Sequence, residues 1–294
     1  MAGRLSKAAL LKWRRARGGP SPGVTRCGKT TFHWGERTYV MGIVNVSPDS
    51  FSGDGLDSAD AAVAQAQRFV TEGVDILDVG GESTRPGSSP TPADEELRRV
   101  IPVLERLVGK VKVPLSVDTY KFDVARRALD AGAEMINDIW GLKQEPRLAE
   151  LAADRGVPII LMSNQRDKPR HNIISAVLSD LKKSIDVALD AGVPWENIII
   201  DPGIGFGKTL EQNLELVRRL DELKVLGRPI LLGTSRKSMI GLVLDLPPEQ
   251  RLEGTAASSA IGIARGADII RVHDVKEMIR ISRMSDAIIR SRRS

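Results

Sequence analysis

Cysteine is almost missing from this chain: Cys27 is the one thiol in 294 residues. A lone cysteine closes no internal disulfide, which excludes a disulfide-stapled secreted scaffold and makes a reducing, cytoplasmic setting the expectation. Histidine is nearly as scarce, with only His33, His171 and His273, so no Cys/His pairs stand at zinc-ligand spacing. No window approaches the roughly 18 consecutive apolar residues that a membrane-spanning helix needs. What remains, 41% hydrophobic and 28% charged residues, excludes a disordered or collagen-like chain and suffices for one large domain or two small ones with a full core.

The net charge of +5 suggests nucleic acid until it is located. Arg4, Lys7, Lys12, Arg14, Arg15, Arg17, Arg26 and Lys29 all fall in the first thirty residues, which hold no acid, so the rest of the chain is mildly acidic. The basic segment runs through Gly18-Gly19-Pro20-Ser21-Pro22-Gly23, a stretch that interrupts regular structure. Residues 1–35 therefore read as a basic, flexible N-terminal extension, faintly like an organellar transit peptide, and residues 36–294 as the folded domain. Any binding of nucleic acid would be weak and confined to this tail.

From Tyr39 onward short apolar runs alternate with longer amphipathic stretches. The runs are Tyr39–Val46, Asp75–Gly81, Pro114–Thr119, Met135–Ile139, Pro158–Met162, Asn197–Pro202, Pro229–Ser235 and Ile269–Asp274. They are apolar on both faces, as parallel strands covered by helices must be. Between them residues 61–70 and 173–191 repeat apolar residues at helical spacing, and Gly73, Gly132, Gly156, Gly192 and Gly266 stand where helices should end. Eight such units in about 255 residues predict an α/β fold, a (β/α)8 TIM barrel. The alternative is a doubly wound open sheet, but no Gly-x-Gly-x-x-Gly fingerprint follows the first strand.

A barrel gathers its chemistry where strands end. Polar residues collect there: Asn45 after the first run, Glu82 to Gly87 after the second, Asp118 after the third, Asn137-Asp138 after the fourth, Asp201 after the sixth, Ser235-Arg236-Lys237-Ser238 after the seventh and Arg271-Val272-His273-Asp274 after the eighth. Singly, each could be a helix cap or a turn residue. Packed around one mouth, Asp118, Asn137, Asp201 and Lys237 would share a cavity, and burying such groups unpartnered costs a few kcal/mol each. Their donors and acceptors suit the edge of an amino-oxo heterocycle. Arg271 and His273 alternate along a strand end and, with Asn45 and Arg85, form either an anion site or a buried structural pair. The long polar loops 47–58 and 82–92 read as lids over this mouth.

The segments Met41–Ser52, Gly80–Gly87, Ser116–Thr119, Ile136–Asp138, Asp201–Lys208, Ser235–Ser238 and Arg271–Asp274 together resemble the dihydropteroate synthases, a family of pterin-binding barrels. The resemblance covers residues 40 to 290. It implies condensation of 4-aminobenzoate with 6-hydroxymethyl-7,8-dihydropterin diphosphate, with loss of diphosphate, by a dissociative substitution in folate biosynthesis. It assigns the pterin to Asp118, Asn137, Asp201, Lys237 and Thr84, and the diphosphate to Asn45, Arg271 and His273, with Mg2+ bridging diphosphate and Asn45. The 4-aminobenzoate falls to Ser238, Phe51, Pro86, Phe206 and Thr84, and the catalytic roles to Asp118, Lys237, Arg271 and His273. The family also implies a homodimer and sulfonamides as competitive ligands.

The chain departs from the pattern after the fifth strand, where many relatives have Leu-Met-His and this chain has Leu161-Met162-Ser163. That bears on the packing of the loop beside the pterin more than on the chemistry. Three other readings stay open: a sulfonamide-insensitive form of the same enzyme, a non-catalytic pterin-binding paralogue, and a corrinoid-linked methyltransferase. The last has no use for Arg271, His273 and residues 235–238.

Overall fold

The apolar runs form strands whose residues are nearly all buried, and their pairing decides between barrel and open sheet. The computed structural model describes residues 23–46, 55–83, 89–166 and 172–290, with only the backbone for 55–58. A hairpin, β1 (Val24–Cys27) and β2 (Thr30–His33), comes first. Then follow β3 (Tyr39–Asn45), α1 (Gly55–Glu72), β4 (Ile76–Gly80), α2 (Ala93–Leu107), β5 (Leu115–Asp118), α3 (Phe122–Asp130), β6 (Met135–Asp138), α4 (Arg147–Arg155), β7 (Ile159–Met162) and α5 (Ile173–Asp190). The chain continues with β8 (Ile198–Asp201), α6 (Leu210–Arg218), β9 (Leu231–Leu232), α7 (Ser238–Leu244), α8 (Leu252–Ala264), β10 (Ile269–Val272) and α9 (Val275–Ile289).

The sheet runs β8-β7-β6-β5-β4-β3-β10-β9, every pair parallel, and a bridge from Ile200 to Ile230 brings β8 against the start of β9. Neighbours in sequence are thus neighbours in space around a nearly closed ring, whereas a doubly wound sheet would reverse direction partway. This is the (β/α)8 barrel that the strand count predicted. Helices cover the outside through apolar stripes, as in α2, where Val100, Val103, Leu104 and Leu107 are buried. All five glycines expected at helix ends have φ between 64° and 103°, where a side chain would be strained. The 47–58 loop is shorter than the sequence suggested, because α1 begins at Gly55. Residues 47–54 and 84–88 lie outside the described residues.

The boundary expected at residue 35 is corrected by the hairpin. Residues 1–22 lie outside the described residues, but β1 and β2 belong to the barrel. Thr25, Cys27 and Phe32 are fully buried, and Trp34 nearly so. They pack with Tyr39, Met41, Ile76, Met135, Ile160, Ile199, Leu231 and Ile269, so one inward residue from nearly every strand closes a layer beneath the mouth. Phe32 meets Tyr39 edge-on at 4.9 Å, and the Trp34 indole N–H donates to Thr25 Oγ1 at 2.9 Å. Thr25 in turn donates to the Glu196 carbonyl at 2.5 Å. The turn demands glycine: Gly28 has φ of 56°, and a Cβ there would lie 1.7 Å from the Glu134 carboxylate. Cys27 donates to the Glu134 carbonyl, and burial pushes its thiol pKa up, which leaves it an inert core residue.

Phe32→Ala should therefore destabilise the barrel by roughly 3–5 kcal/mol, the cost of emptying an aromatic site in a packed core. Denaturant unfolding checks this; a loss within 1 kcal/mol would mean the hairpin is only loosely attached.

Candidate active site

At the C-terminal end of the strands, the register sets Asn45 beside Gly80, Gly80 beside Asp118, and Asp118 beside Asn137. Four adjacent strand ends are thereby aligned in one row. Gly80 keeps the row close, since a Cβ there would sit 3.3 Å from the Asp118 Cβ. On β8 Asp201 is buried and its Oδ1 accepts the Gly203 N–H at 2.6 Å.

Arg271, from β10, crosses the mouth. Its Nε donates to Asp78 Oδ2 at 2.6 Å and its terminal nitrogen to Asp118 Oδ2 at 2.6 Å. Asn137 donates to the same Asp78 oxygen at 3.0 Å. Arg271 is thus paired with carboxylates and not with His273. Asp78 was missed in the sequence, where it stands inside the apolar run Ile76-Leu77-Asp78-Val79.

His273 turns the other way, toward β9. Ser235 Oγ accepts the His273 backbone N–H at 3.1 Å and lies 2.9 Å from Nδ1. In the tautomer where the hydroxyl gives its proton to Nδ1, the ring proton stands on Nε2 as a donor. Burial, then Arg271 and Arg236, hold the imidazole pKa down at about 3, so it is neutral at physiological pH. Arg236, with φ of 56°, pairs with Asp274 through Nε at 3.1 Å and so ties the loop after β9 to the end of β10.

Lys237 caps the start of α7, with its ammonium 4.3 Å from the centre of the Phe206 ring. Arg166 lies over the same ring at 4.7 Å. Phe206 is buried with Ile139 and Met162, on the Lys237 side of the pocket, whereas Ser238 is exposed at the first position of α7. Burial, then Arg271, lowers the Lys237 pKa to about 8. Burial raises Asp118 to about 7 against the pull of Arg271, and it raises Asp201 as well. These are desolvated charges at a mouth, the pattern of a functional site.

Two further residues lie in segments that the sequence singled out but received no role there. Lys208 donates to the carbonyls of Ser163 and Gly203 at 2.8 Å and of Phe206 at 3.1 Å, and so joins the loops after β7 and β8; burial lowers its pKa to about 7. Glu82, at the end of β4, binds Lys121, which also binds Glu96, and accepts from the Thr91 N–H at 3.3 Å. Ser163, which departs from the family pattern, is fully engaged: it donates to Asp180 on α5 at 2.9 Å and accepts from Gln165 at 3.0 Å. Its hydroxyl packs the loop and faces a helix. Phe51, Thr84, Arg85 and Pro86 lie outside the described residues.

A row of carboxylates, carboxamide and cations at the mouth of a parallel barrel defines the class as an α/β-barrel enzyme. The family model of pterin-binding enzymes matches residues 41–273. A dihydropteroate synthase of Clostridium beijerinckii is 51% identical over 267 residues, which cover 90% of this chain and 99% of the relative. The crystal structure of a Clostridium difficile dihydropteroate synthase in the presence of pteroic acid superposes with a TM-score of 0.86 at 50% identity, covering 88% of this chain and 100% of that one. A Xanthomonas albilineans dihydropteroate synthase with 4-aminobenzoic acid gives 0.86 at 44% identity, over 92% and 98% of the two chains. The chain belongs to the pterin-binding enzymes and, within them, to the dihydropteroate synthases, transferases of folate biosynthesis.

The depressed His273 pKa carries a pH signature. Between about 6.5 and 3 the unfolded chain takes up a proton that the native site refuses, so this group favours the native state least at low pH. Stability should fall from pH 6.5 to pH 4 by about 1–3 kcal/mol more in the wild type than in His273→Gln. Denaturant midpoints across that range test it; parallel profiles would contradict a buried neutral imidazole.

Proposed function

We propose that the site joins 4-aminobenzoate to 6-hydroxymethyl-7,8-dihydropterin diphosphate by a dissociative substitution, in which the C–O bond to diphosphate breaks before the amine attacks. The observation that carries this reading is the desolvated Asp118 carboxylate held against Arg271 at the mouth, where the hydroxyl–imidazole contact of Ser235 with His273 involves a ring too weakly basic to activate a nucleophile. A buried carboxylate of fixed geometry stabilises a cation forming on the pterin methylene, and it needs no reorganisation to do so.

Asn137, Asp201 and Lys237 take the remaining donors and acceptors of the pterin edge, and Phe206 walls the ring on the Lys237 side. His273 presents a neutral N–H donor to the leaving diphosphate, and Arg271 supplies positive charge beside it. Asn45 ends β3 half-buried and offers one neutral oxygen, which fits Mg2+, an ion that keeps most of its ligands as water and phosphate oxygens. Asn45 would hold the ion, and Mg2+ would supply positive charge that offsets the charge growing on the leaving group. Ser238, at the N-terminal end of α7, suits the 4-aminobenzoate carboxylate. Thr84, Phe51 and Pro86 complete that second site in this reading, and their loops exclude the water that would otherwise capture the cation. A sulfonamide would compete at the same place.

The homodimer belongs to this reading too. An apolar groove of about 650 Å³ opens between α6, α7 and α8, flanked by exposed Leu214, Val243, Leu244 and Ile261. A patch of this kind on a barrel's outer helices suits a second copy of the chain. Light scattering should give about twice 32.0 kDa, and Ile261→Glu should halve that mass; a wild-type monomer at micromolar concentration would refute the dimer.

Positional isotope exchange tests the mechanism. With 18O in the bridging oxygen of the pterin diphosphate and no 4-aminobenzoate present, a dissociative site scrambles the label into non-bridging positions, and a concerted displacement leaves it in place. Asp118→Asn should lower kcat by about 100- to 1,000-fold and slow the scrambling in parallel. Unscrambled label, or a kcat within threefold of wild type, would contradict the assignment.

A further inference from the structure

Among the buried polar groups that the chemistry above leaves unused, Asp78 is the one that touches two residues of the site at once. It lies in the middle of β4, with no exposed surface, and one of its oxygens receives both Arg271 Nε and the Asn137 amide nitrogen. Its other oxygen, Oδ1, is buried with no hydrogen-bond partner among the described residues, as is Oγ of Ser116, its register partner on β5. Stability alone does not account for such a group. An apolar residue there would avoid the desolvation of a carboxylate and the orphaned oxygen.

We propose that Asp78 is a positioning residue, which fixes Asn137 and Arg271 in the orientations that the pterin diphosphate meets. An ionised carboxylate only accepts hydrogen bonds, so the Asn137 amide nitrogen must face it, and the amide oxygen is thereby left as an acceptor for a ring N–H. Without Asp78 the amide could turn over and present a donor where the ligand also has one. Arg271 is fixed in the same way at one end only. Its Nε is tied to an oxygen with no solvent access, while its terminal nitrogen rests on Asp118, which the substrate must also reach. The guanidinium can therefore exchange its outer contact for the substrate and keep its inner one.

This inference rests on the pterin reading of the site, and the measurements separate the two. Wild-type protein is titrated with the pterin diphosphate by calorimetry; no binding would overturn the reading itself. The isosteric Asp78→Asn is then compared by steady-state kinetics. A positioning role raises the KM for pterin diphosphate at least tenfold, leaves the KM for 4-aminobenzoate within twofold, and is non-additive with Asn137→Ala. Unchanged pterin KM and kcat in a folded Asp78→Asn, or additivity with Asn137→Ala, would overturn it. A second readout needs no change at residue 78. The Arg271 Nε–H resonance of the wild type, identified by its loss in Arg271→Lys, should stay protected from solvent exchange with and without the pterin diphosphate. Loss of that protection on binding would also overturn the proposal.

Discussion

The site depends on one electrostatic constraint: an arginine and two aspartates held out of water at the mouth of the barrel. Taking such charges from solvent costs several kcal/mol each, and their attraction offsets this only when the geometry is fixed. Arg271 meets Asp78 and Asp118 at 2.6 Å each because their strands, β10, β4 and β5, lie in a register that the closed ring enforces. Elsewhere around the mouth, loops are clamped by half-buried cations: Lys208 on three carbonyls, Lys121 between Glu82 and Glu96, and Arg236 on Asp274.

The two ends of the barrel divide the labour. The floor is an apolar layer closed by Phe32 and Trp34, and its polar groups are satisfied internally. The mouth leaves Asp118, Lys237, Arg271 and His273 partly open, with pKa values shifted by burial for the first two and His273. A rigid floor beneath a strained, charged mouth is how a barrel combines stability with chemistry.

Much of this was legible in the sequence. Two-sided apolar runs gave the strand count, and the polar residues just past each run marked the mouth, so Asp118, Asn137, Asp201, Lys237, Arg271 and His273 could be named from spacing and family resemblance together. Asp78 could not, because a carboxylate within an apolar strand looks like the polar side of an exposed strand until its neighbours are known. Lys208 ends the glycine-rich segment Asp201–Lys208 with no role legible in it; only the fold shows three carbonyls converging on it. The hairpin was hidden by its short strands and by the basic residues around it. Ser163 was expected to bear on loop packing and does so, but its partner Asp180 lies on a helix whose contact with β7 the sequence does not reveal.

The central claim is that the buried carboxylates of the mouth await the donors of a pterin ring. Its most direct test is calorimetric binding of 6-hydroxymethyl-7,8-dihydropterin, free of diphosphate, at pH 6 in buffers of different ionisation enthalpy. Burial holds Asp118 up at about 7, so at pH 6 it is largely protonated, and ring donors that favour its carboxylate must expel that proton. The account predicts proton release on binding at pH 6 that fades by pH 9 and is much reduced in Asp118→Asn. Binding with the same apparent heat in every buffer would contradict it.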